Sequence, residues 1–239
     1  MSPQRLIFAD YHNHALPWMH DGPRTPEEAE QLLSKLRNAG ICRVMLTPTY
    51  RPFYESVRRF RLRRAEAWRT MAHRFPRGMQ MGLGALVALE EGCCGCPDIA
   101  ELAIPGTNYL NIELPTAPFP DWFDNEMHLL FHRRRLKPIF AGFERYFVLY
   151  TPEQLDHVMR IPDGAYQFTL RALIREDIRV LVRRLYRQGK TVLLGTGAFS
   201  PDYDYYYTDS ILQSLRKCVG NASYTSLIFD EFNFAQFRS

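Results

Sequence analysis

Short apolar runs alternate along this chain with longer segments in which apolar residues recur every three or four positions. The apolar runs predict strands over 5–9, 41–47, 79–89, 109–114, 138–141, 166–170 and 191–194. The longer segments predict helices from Pro26 to a stop at Gly40, and over 55–75, 121–136, 152–159, 176–188, 209–218 and 224–232. Strands that alternate with helices in this way indicate parallel βα units.

The first of these helices has the clearest start signal. Thr25, Pro26 and Glu28 form a capping box with proline at the first helical position. The apolar face that follows consists of Ala29, Leu32, Leu33 and Leu36. This pattern predicts an amphipathic helix that packs on a sheet.

About seven βα units predict a closed barrel rather than an open sheet, with the working site at the carboxyl ends of the strands. The length of 239 residues, with 46% hydrophobic and 23% charged residues, fits one domain with a substantial core over 1–239. The net charge is only +4, and the arginines over 58–74 and 133–135 are interpreted as solvated helix faces. We therefore expect no nucleic-acid partner.

The chain shows no apolar run of the roughly 18–20 residues that a membrane-spanning helix needs. Its start, MSPQRLIFAD, has no secretory signal, and its five cysteines fit a reducing compartment. These features predict a cytoplasmic protein without a transmembrane segment, and they leave its oligomeric state open.

Candidate chemistry begins directly after the first predicted strand. His12 and His14 are two positions apart on an extended segment, so their imidazoles point the same way and can bind one ion. Asp10 is a candidate to orient one ring by accepting its other N–H. A lone H-x-H is weak evidence for a metal, but its place at the end of a barrel strand strengthens it.

The segment from Asp10 to Pro23 resembles the opening of bacterial tyrosine phosphatases of the PHP (polymerase and histidinol phosphatase) family, D-x-H-x-H followed by L-P-x-x-D-D-G-P. Here His20 replaces the first paired aspartate, and Asp21 retains the second. Further segments resemble family motifs in order: L-T-P-T at 46–49, A-L-E at 88–90, Y-L-N-I-E-L-P at 109–115, P-I-F-A-G-F-E-R-Y at 138–146, L-G-T-G-A at 194–198 and L-I-F-D-E-F-N at 227–233.

This resemblance implies a distorted (β/α)7 barrel of the PHP type and a metal-dependent phosphatase chemistry. The family holds up to three metal ions with histidines and carboxylates at the strand ends. Four of those ligand positions carry other residues in this chain: Thr49, Gly142, Thr196 and Ala198. The remaining candidate ligands are His12, His14, Glu90, with Glu91 as a register alternative, and Glu113.

Two imidazoles and two carboxylates suit one manganese, iron or zinc ion, not a cluster. The alternative is that these residues hold no metal and are satisfied by hydrogen bonds. The resemblance also makes Arg145 a candidate for phosphate binding and catalysis, and Asp21 a candidate catalytic residue. A structural ion pair between Arg145 and Glu113 is the competing interpretation of that arginine.

The loss of several coupled ligands favours a catalytically impaired relative that binds phosphotyrosine or a bacterial tyrosine kinase of polysaccharide synthesis as a regulator. An active metal-dependent phosphoesterase with a reduced site is the alternative. A binding domain unrelated to phosphate is a third hypothesis.

Two features have no counterpart in the family pattern. Cys93, Cys94 and Cys96 lie close enough to bind a soft metal or to form redox bonds, although a second ligand pair is not evident. The tyrosine-rich run over 203–207 is interpreted as an amphipathic loop that packs over the pocket, with a substrate-mimicking segment as the alternative.

Overall fold

The computed structural model describes residues 8–116, 118–202, 213 and 216, and all of its paired strands are parallel. The strands are β1 Phe8–Asn13, β2 Ile41–Leu46, β3 Thr49–Tyr50, β4 Gln80–Leu83, β5 Leu86–Ala88, β6 Tyr109–Glu113, β7 Lys137–Phe140, β8 Ala165–Thr169 and β9 Thr191–Gly195. The helices are α1 Pro26–Asn38, α2 Val57–Met71, α3 Phe123–His128, α4 Pro152–Met159 and α5 Glu176–Arg187.

The nine strands amount to seven barrel positions. One sheet has the order β1-β2-β4 and the other has the order β3-β5-β6-β7-β8-β9. Two backbone hydrogen bonds bridge the interruptions, from Gly84 N–H to Leu46 O at 2.8 Å and from Leu86 N–H to Pro48 O at 3.1 Å. Thus β2 continues into β3, and β4 into β5.

The ring of strands returns to β1 through the segment that follows β9. His14 N–H donates to Ala198 O at 2.7 Å, and Gly197 N–H donates to His12 O at 2.7 Å. Asn13 and Ala198 form an isolated parallel bridge. The predicted α/β architecture, a distorted (β/α)7 barrel of the PHP type, is confirmed.

The core explains why the helices form where the pattern predicts them. The apolar face of α1 is fully buried, and Thr25 caps its start by accepting a hydrogen bond from Glu28 N–H at 3.2 Å. The large cluster to which α1 belongs packs between strands and helices. A smaller cluster fills the space that the strands enclose, and it consists of Ala9, Tyr11, Met45, Ile104, Ile139, Ala165 and Leu193.

Some boundaries differ from the prediction. The strand expected over 79–89 is two short strands interrupted after Leu83, and an added Cβ at Gly84 would lie 3.3 Å from the Met45 sulfur. The helix expected over 121–136 is α3 followed by a π-helical turn, Leu129–Arg133. The first strand extends to Asn13, and the helices expected over 209–218 and 224–232, like the tyrosine run, lie outside the residues described as elements.

None of the helices in the described part of the chain combines the length and the apolar character needed to span a membrane.

Candidate functional site

A cavity of about 490 Å³ opens at the carboxyl ends of the strands. It is lined by His12, His14, Asp21, Thr49, Arg51, Glu113, Arg145, Thr169, Thr196, Gly197 and Phe199. Five of the residues singled out from the sequence therefore meet here, although they come from separate parts of the chain: His12, His14, Asp21, Glu113 and Arg145.

The histidine side of the cavity consists of His12 and His14, and Gln167 contacts His12. The two histidines are buried, and their Nε2 atoms face each other at 2.9 Å. Because they are two residues apart at the extended end of β1, both rings lie on one side of the strand. Burial lowers the pKa of both imidazoles, which keeps them neutral, the form that binds a metal.

Gln167 fixes which nitrogen of His12 carries the proton. Its Oε1 accepts a hydrogen bond from Gly142 N–H at 2.7 Å, and its Nε2 donates to Phe168 O at 2.7 Å. Since this oxygen is also 2.9 Å from His12 Nδ1, that nitrogen is the protonated one. The Nε2 lone pair of His12 therefore faces His14 Nε2.

The same chain of hydrogen bonds determines the state of His14. Its Nε2 must donate to the His12 lone pair, so its Nδ1 is unprotonated. That buried Nδ1 has no hydrogen-bond partner in the described part of the chain, and it lies 3.9 Å from Asp21 Oδ2. Asp21 in turn contacts His20 Nδ1 at 2.5 Å.

Asp10 does not orient a histidine ring, so that expectation is wrong; Gln167 does so instead. The Asp10 carboxylate accepts hydrogen bonds from His12 N–H, Asn13 Nδ2, Thr196 N–H and Thr196 Oγ1. Burial raises its pKa to about 6, against the opposing effect of these hydrogen bonds. Asp10 thus ties the end of β1 to the segment after β9.

The arginine side of the cavity consists of Glu113, Gly142 and Arg145. Arg145 Nη1 donates to Glu113 Oε1 at 3.0 Å, and its Nε donates to Gly142 O at 3.3 Å. Gly142 has a φ of +58°, and an added Cβ would lie 2.6 Å from Arg145 Nε. The guanidinium therefore occupies the space into which any side chain at position 142 would extend.

Arg51 is a cavity residue that the sequence interpretation missed. Its Nη2 lies 3.9 Å from Glu113 Oε2, on the side of that carboxylate that Arg145 leaves open. The buried Nε of Arg51 has no hydrogen-bond partner among the residues the structure describes. The sequence signal that could have identified Arg51 is its position two residues after Thr49, at the end of β3.

Glu90 and Glu91 are not among the described residues that line the cavity. Glu90 Oε2 accepts a hydrogen bond from Phe53 N–H at 3.0 Å, and burial raises the pKa of this carboxyl group. Glu91 is exposed. The place of either residue among the metal ligands stays a prediction that the cavity geometry does not support.

The four positions at which the sequence departs from the family pattern lie around this cavity. Thr49 and Thr196 line it, Gly142 lies beneath the Arg145 guanidinium, and Ala198 is fully buried beside β1. Thr196 is bound to Asp10. The cavity is therefore present, but these four positions around it carry hydroxyl or apolar groups.

The donor set that remains fits a single divalent ion. The Nε2 atoms of the two neutral imidazoles lie 2.9 Å apart, and both would bind one ion once the His14 proton is carried on Nδ1, beside Asp21. Gln167 provides His12 with the outer hydrogen bond that is typical of a metal-binding histidine. Glu113 and Asp21 are carboxylates that line the cavity, although Arg145 and Arg51 compete for Glu113. These residues suit manganese, iron or zinc.

Comparisons with known proteins agree with this geometry. The structure is similar to the crystal structures of YwqE from Bacillus subtilis and CpsB from Streptococcus pneumoniae, described as unique metal-dependent tyrosine phosphatases, with 17% identity, 92% of this chain and 90% of that chain covered, and a TM-score of 0.72.

A more distant match is the phosphotriesterase homology protein from Escherichia coli with phosphate in its active site, at 13% identity, with 95% of this chain and 97% of that chain covered, and a TM-score of 0.51. The search among curated proteins finds no match. The family model for capsular polysaccharide synthesis, CpsB/CapC, matches residues 8–229. The chain therefore belongs to the CpsB/CapC family.

Proposed function

We propose that this protein binds phosphotyrosine on a tyrosine kinase of capsule synthesis, hydrolyses it weakly or not at all, and acts as a cytoplasmic regulator. The observation that carries the proposal is the position of Arg145. Its guanidinium folds over Gly142 and fills the space of a lost metal ligand, so a fixed positive charge stands in that part of the cavity.

Two arginines give the cavity the means to bind a phosphoryl group. Arg145 and Arg51 lie on either side of Glu113, and one carboxylate cannot balance both guanidinium charges. A phosphate dianion offers more acceptors and more charge than Glu113, and guanidinium groups bind it bidentately. Phe199 lines the same cavity with half of its surface exposed, which provides an apolar face for an aryl ring.

We expect weak hydrolysis because the cavity lacks several metal ligands of the family pattern. A bound divalent ion would activate water and neutralise charge on the phosphoryl group. His12, His14 and Glu113 would hold it, and Asp21 lies beside His14 as a candidate acid or base. Thr49, Gly142, Thr196 and Ala198 offer no comparable ligands, so we expect most of the rate enhancement of a complete metal cluster to be lost.

A second candidate function is an active metal-dependent phosphoesterase with a reduced site. The observation that favours it is the hydrogen bond between Gln167 and His12, which keeps the His12 proton on Nδ1 and leaves Nε2 unprotonated. That arrangement is typical of a histidine prepared to bind a metal.

Elemental analysis of protein purified without chelators or a metal-affinity tag, followed by aryl phosphate hydrolysis with the metal found, tests both candidates. Binding of a phosphotyrosine peptide is measured in parallel in the presence of a chelator. Peptide binding that survives the chelator, together with negligible hydrolysis, supports the regulator. Rapid metal-dependent turnover that His12→Ala/His14→Ala abolishes would establish the enzyme instead.

A further inference from the structure

A second cluster of metal-binding side chains lies apart from the cavity. Cys93 and Cys94 follow β5 in a short 3-10 helix, Cys93–Gly95, and Glu126 belongs to α3. Potential ligand atoms of these three residues all lie within 4.8 Å of one another. None of the three lines the cavity that holds His12 and His14.

The spacing of the two sulfurs matches that of a tetrahedral ion. Cys93 Sγ and Cys94 Sγ are 3.8 Å apart. Two thiolates at about 2.3 Å from a tetrahedral zinc ion are separated by about 3.8 Å, so the sulfurs would need little movement to share one ion.

The carboxyl group of Glu126 provides an independent observation. It is fully buried, and its oxygens accept hydrogen bonds from Gly92 N–H and Cys94 N–H, each at 2.8 Å. No salt bridge to Glu126 occurs within the described part of the chain, although Arg134 lies nearby and donates to Cys94 O. A buried carboxylate ordinarily has a cationic partner or a metal.

Hydrogen bonds hold the loop that carries the two thiols in a defined conformation. Gly92 adopts a left-handed φ of +81°, and Cys96 N–H closes the turn by donating to Cys93 O at 3.2 Å. Arg134 Nη2 donates to Gly95 O, which ties the loop to the residues after α3. The ligands would therefore lose little conformational freedom when they bind.

We propose that Cys93, Cys94 and Glu126 bind one thiophilic divalent ion, such as zinc, which links the loop after β5 to α3. The hydrogen bond with Cys93 and burial raise the pKa of the Cys94 thiol. Binding forms two metal–sulfur bonds and one metal–oxygen bond, and it releases the two thiol protons to solvent. Cys96 is partly exposed and stands outside the ligand set.

Cobalt is the probe that separates this site from the histidine cavity, because thiolate–cobalt charge transfer absorbs in the near ultraviolet and imidazole ligands give no such band. The full chain is expressed in cobalt-supplemented medium, so that the ion can enter during folding. We expect the charge-transfer band and visible bands of tetrahedral intensity, and we expect both to persist in His12→Ala/His14→Ala.

The ligand set is tested with Cys93→Ser, Cys94→Ser and Glu126→Gln, and with Cys96→Ser and Cys42→Ser as matched controls. The first two variants should lose the band, Glu126→Gln should weaken binding at least tenfold, and the controls should keep it. A direct measurement on the wild-type protein guards against misfolding of the variants: zinc should protect two thiols from a thiol reagent under native conditions. Absence of the band in the wild type, or its loss in Cys96→Ser, would overturn the proposal.

Discussion

The two sides of the cavity carry different chemistry. The histidine side keeps His12 and His14, and Gln167 holds the first ring in a metal-binding tautomer. The arginine side has a glycine at position 142, and Arg145 takes the free space and pairs with Glu113. The comparison shows that a glycine at position 142 leaves room for the Arg145 guanidinium, because an added Cβ would lie 2.6 Å from Arg145 Nε.

The largest expected effect is a loss of metal binding at the cavity without a change in phosphotyrosine binding. His12→Ala/His14→Ala removes both nitrogen ligands, so we expect bound metal at the cavity to disappear. Phosphotyrosine binding in chelator should stay unchanged, because it depends on the arginine side. Metal competition titrations and peptide binding measure the two properties. His128→Ala/His132→Ala, which removes another close histidine pair with ring centroids 4.4 Å apart, is the control.

Arg145→Ala should weaken phosphotyrosine binding and leave metal binding unchanged. A hydrogen-bonded charged contact contributes about 1.5–3 kcal/mol, so phosphotyrosine affinity should fall roughly 10- to 150-fold while the metal content stays the same. Calorimetric titration with a phosphotyrosine peptide checks this. Arg61→Ala removes an exposed arginine that pairs with Glu101 and should change neither property. Unchanged peptide affinity in Arg145→Ala would mean that the arginine only forms a structural ion pair.

Gln167→Ala tests whether the histidine side is held ready for a metal. Loss of an outer hydrogen bond of this kind weakens metal affinity about 10- to 100-fold. The measurement is competition with a chromophoric chelator, and Gln188→Ala, at an exposed position after α5, is the matched control. Equal affinity in the two variants would show that the tautomer of His12 does not matter for binding.

The smallest effect is expected from Gly142→Ala. The new Cβ would lie 2.6 Å from Arg145 Nε and displace the guanidinium. We expect phosphotyrosine affinity to fall by about 1 kcal/mol, roughly fivefold. Gly189→Ala is the control. Gly189 has a similar positive φ of +71°, but no atom lies within 4 Å of an added Cβ, so this variant introduces the backbone strain without the contact. Similar phosphotyrosine affinity in the two variants would contradict the expected effect of Gly142→Ala on the Arg145 guanidinium.

The sequence determined the fold class and the position of the site. Thr25 and the apolar face of α1 specify that helix locally, and the alternation of strands and helices specifies parallel units, because these signals depend on neighbours along the chain. The candidate ligands at the end of β1 were visible for the same reason. Boundaries differ from the prediction at the end of β1, at Gly84 and after α3.

Only the tertiary structure decided which of these residues act together. Gln167 and Arg51 carry no motif, and they join the site because parallel strands bring distant residues to one end of the barrel. Likewise, Glu126 is 32 residues from Cys94 in sequence, yet its carboxylate accepts a hydrogen bond from that residue's N–H. Local patterns record the neighbours along the chain, whereas hydrogen bonds across the barrel depend on the complete packing, and that is where the chemistry of this protein lies.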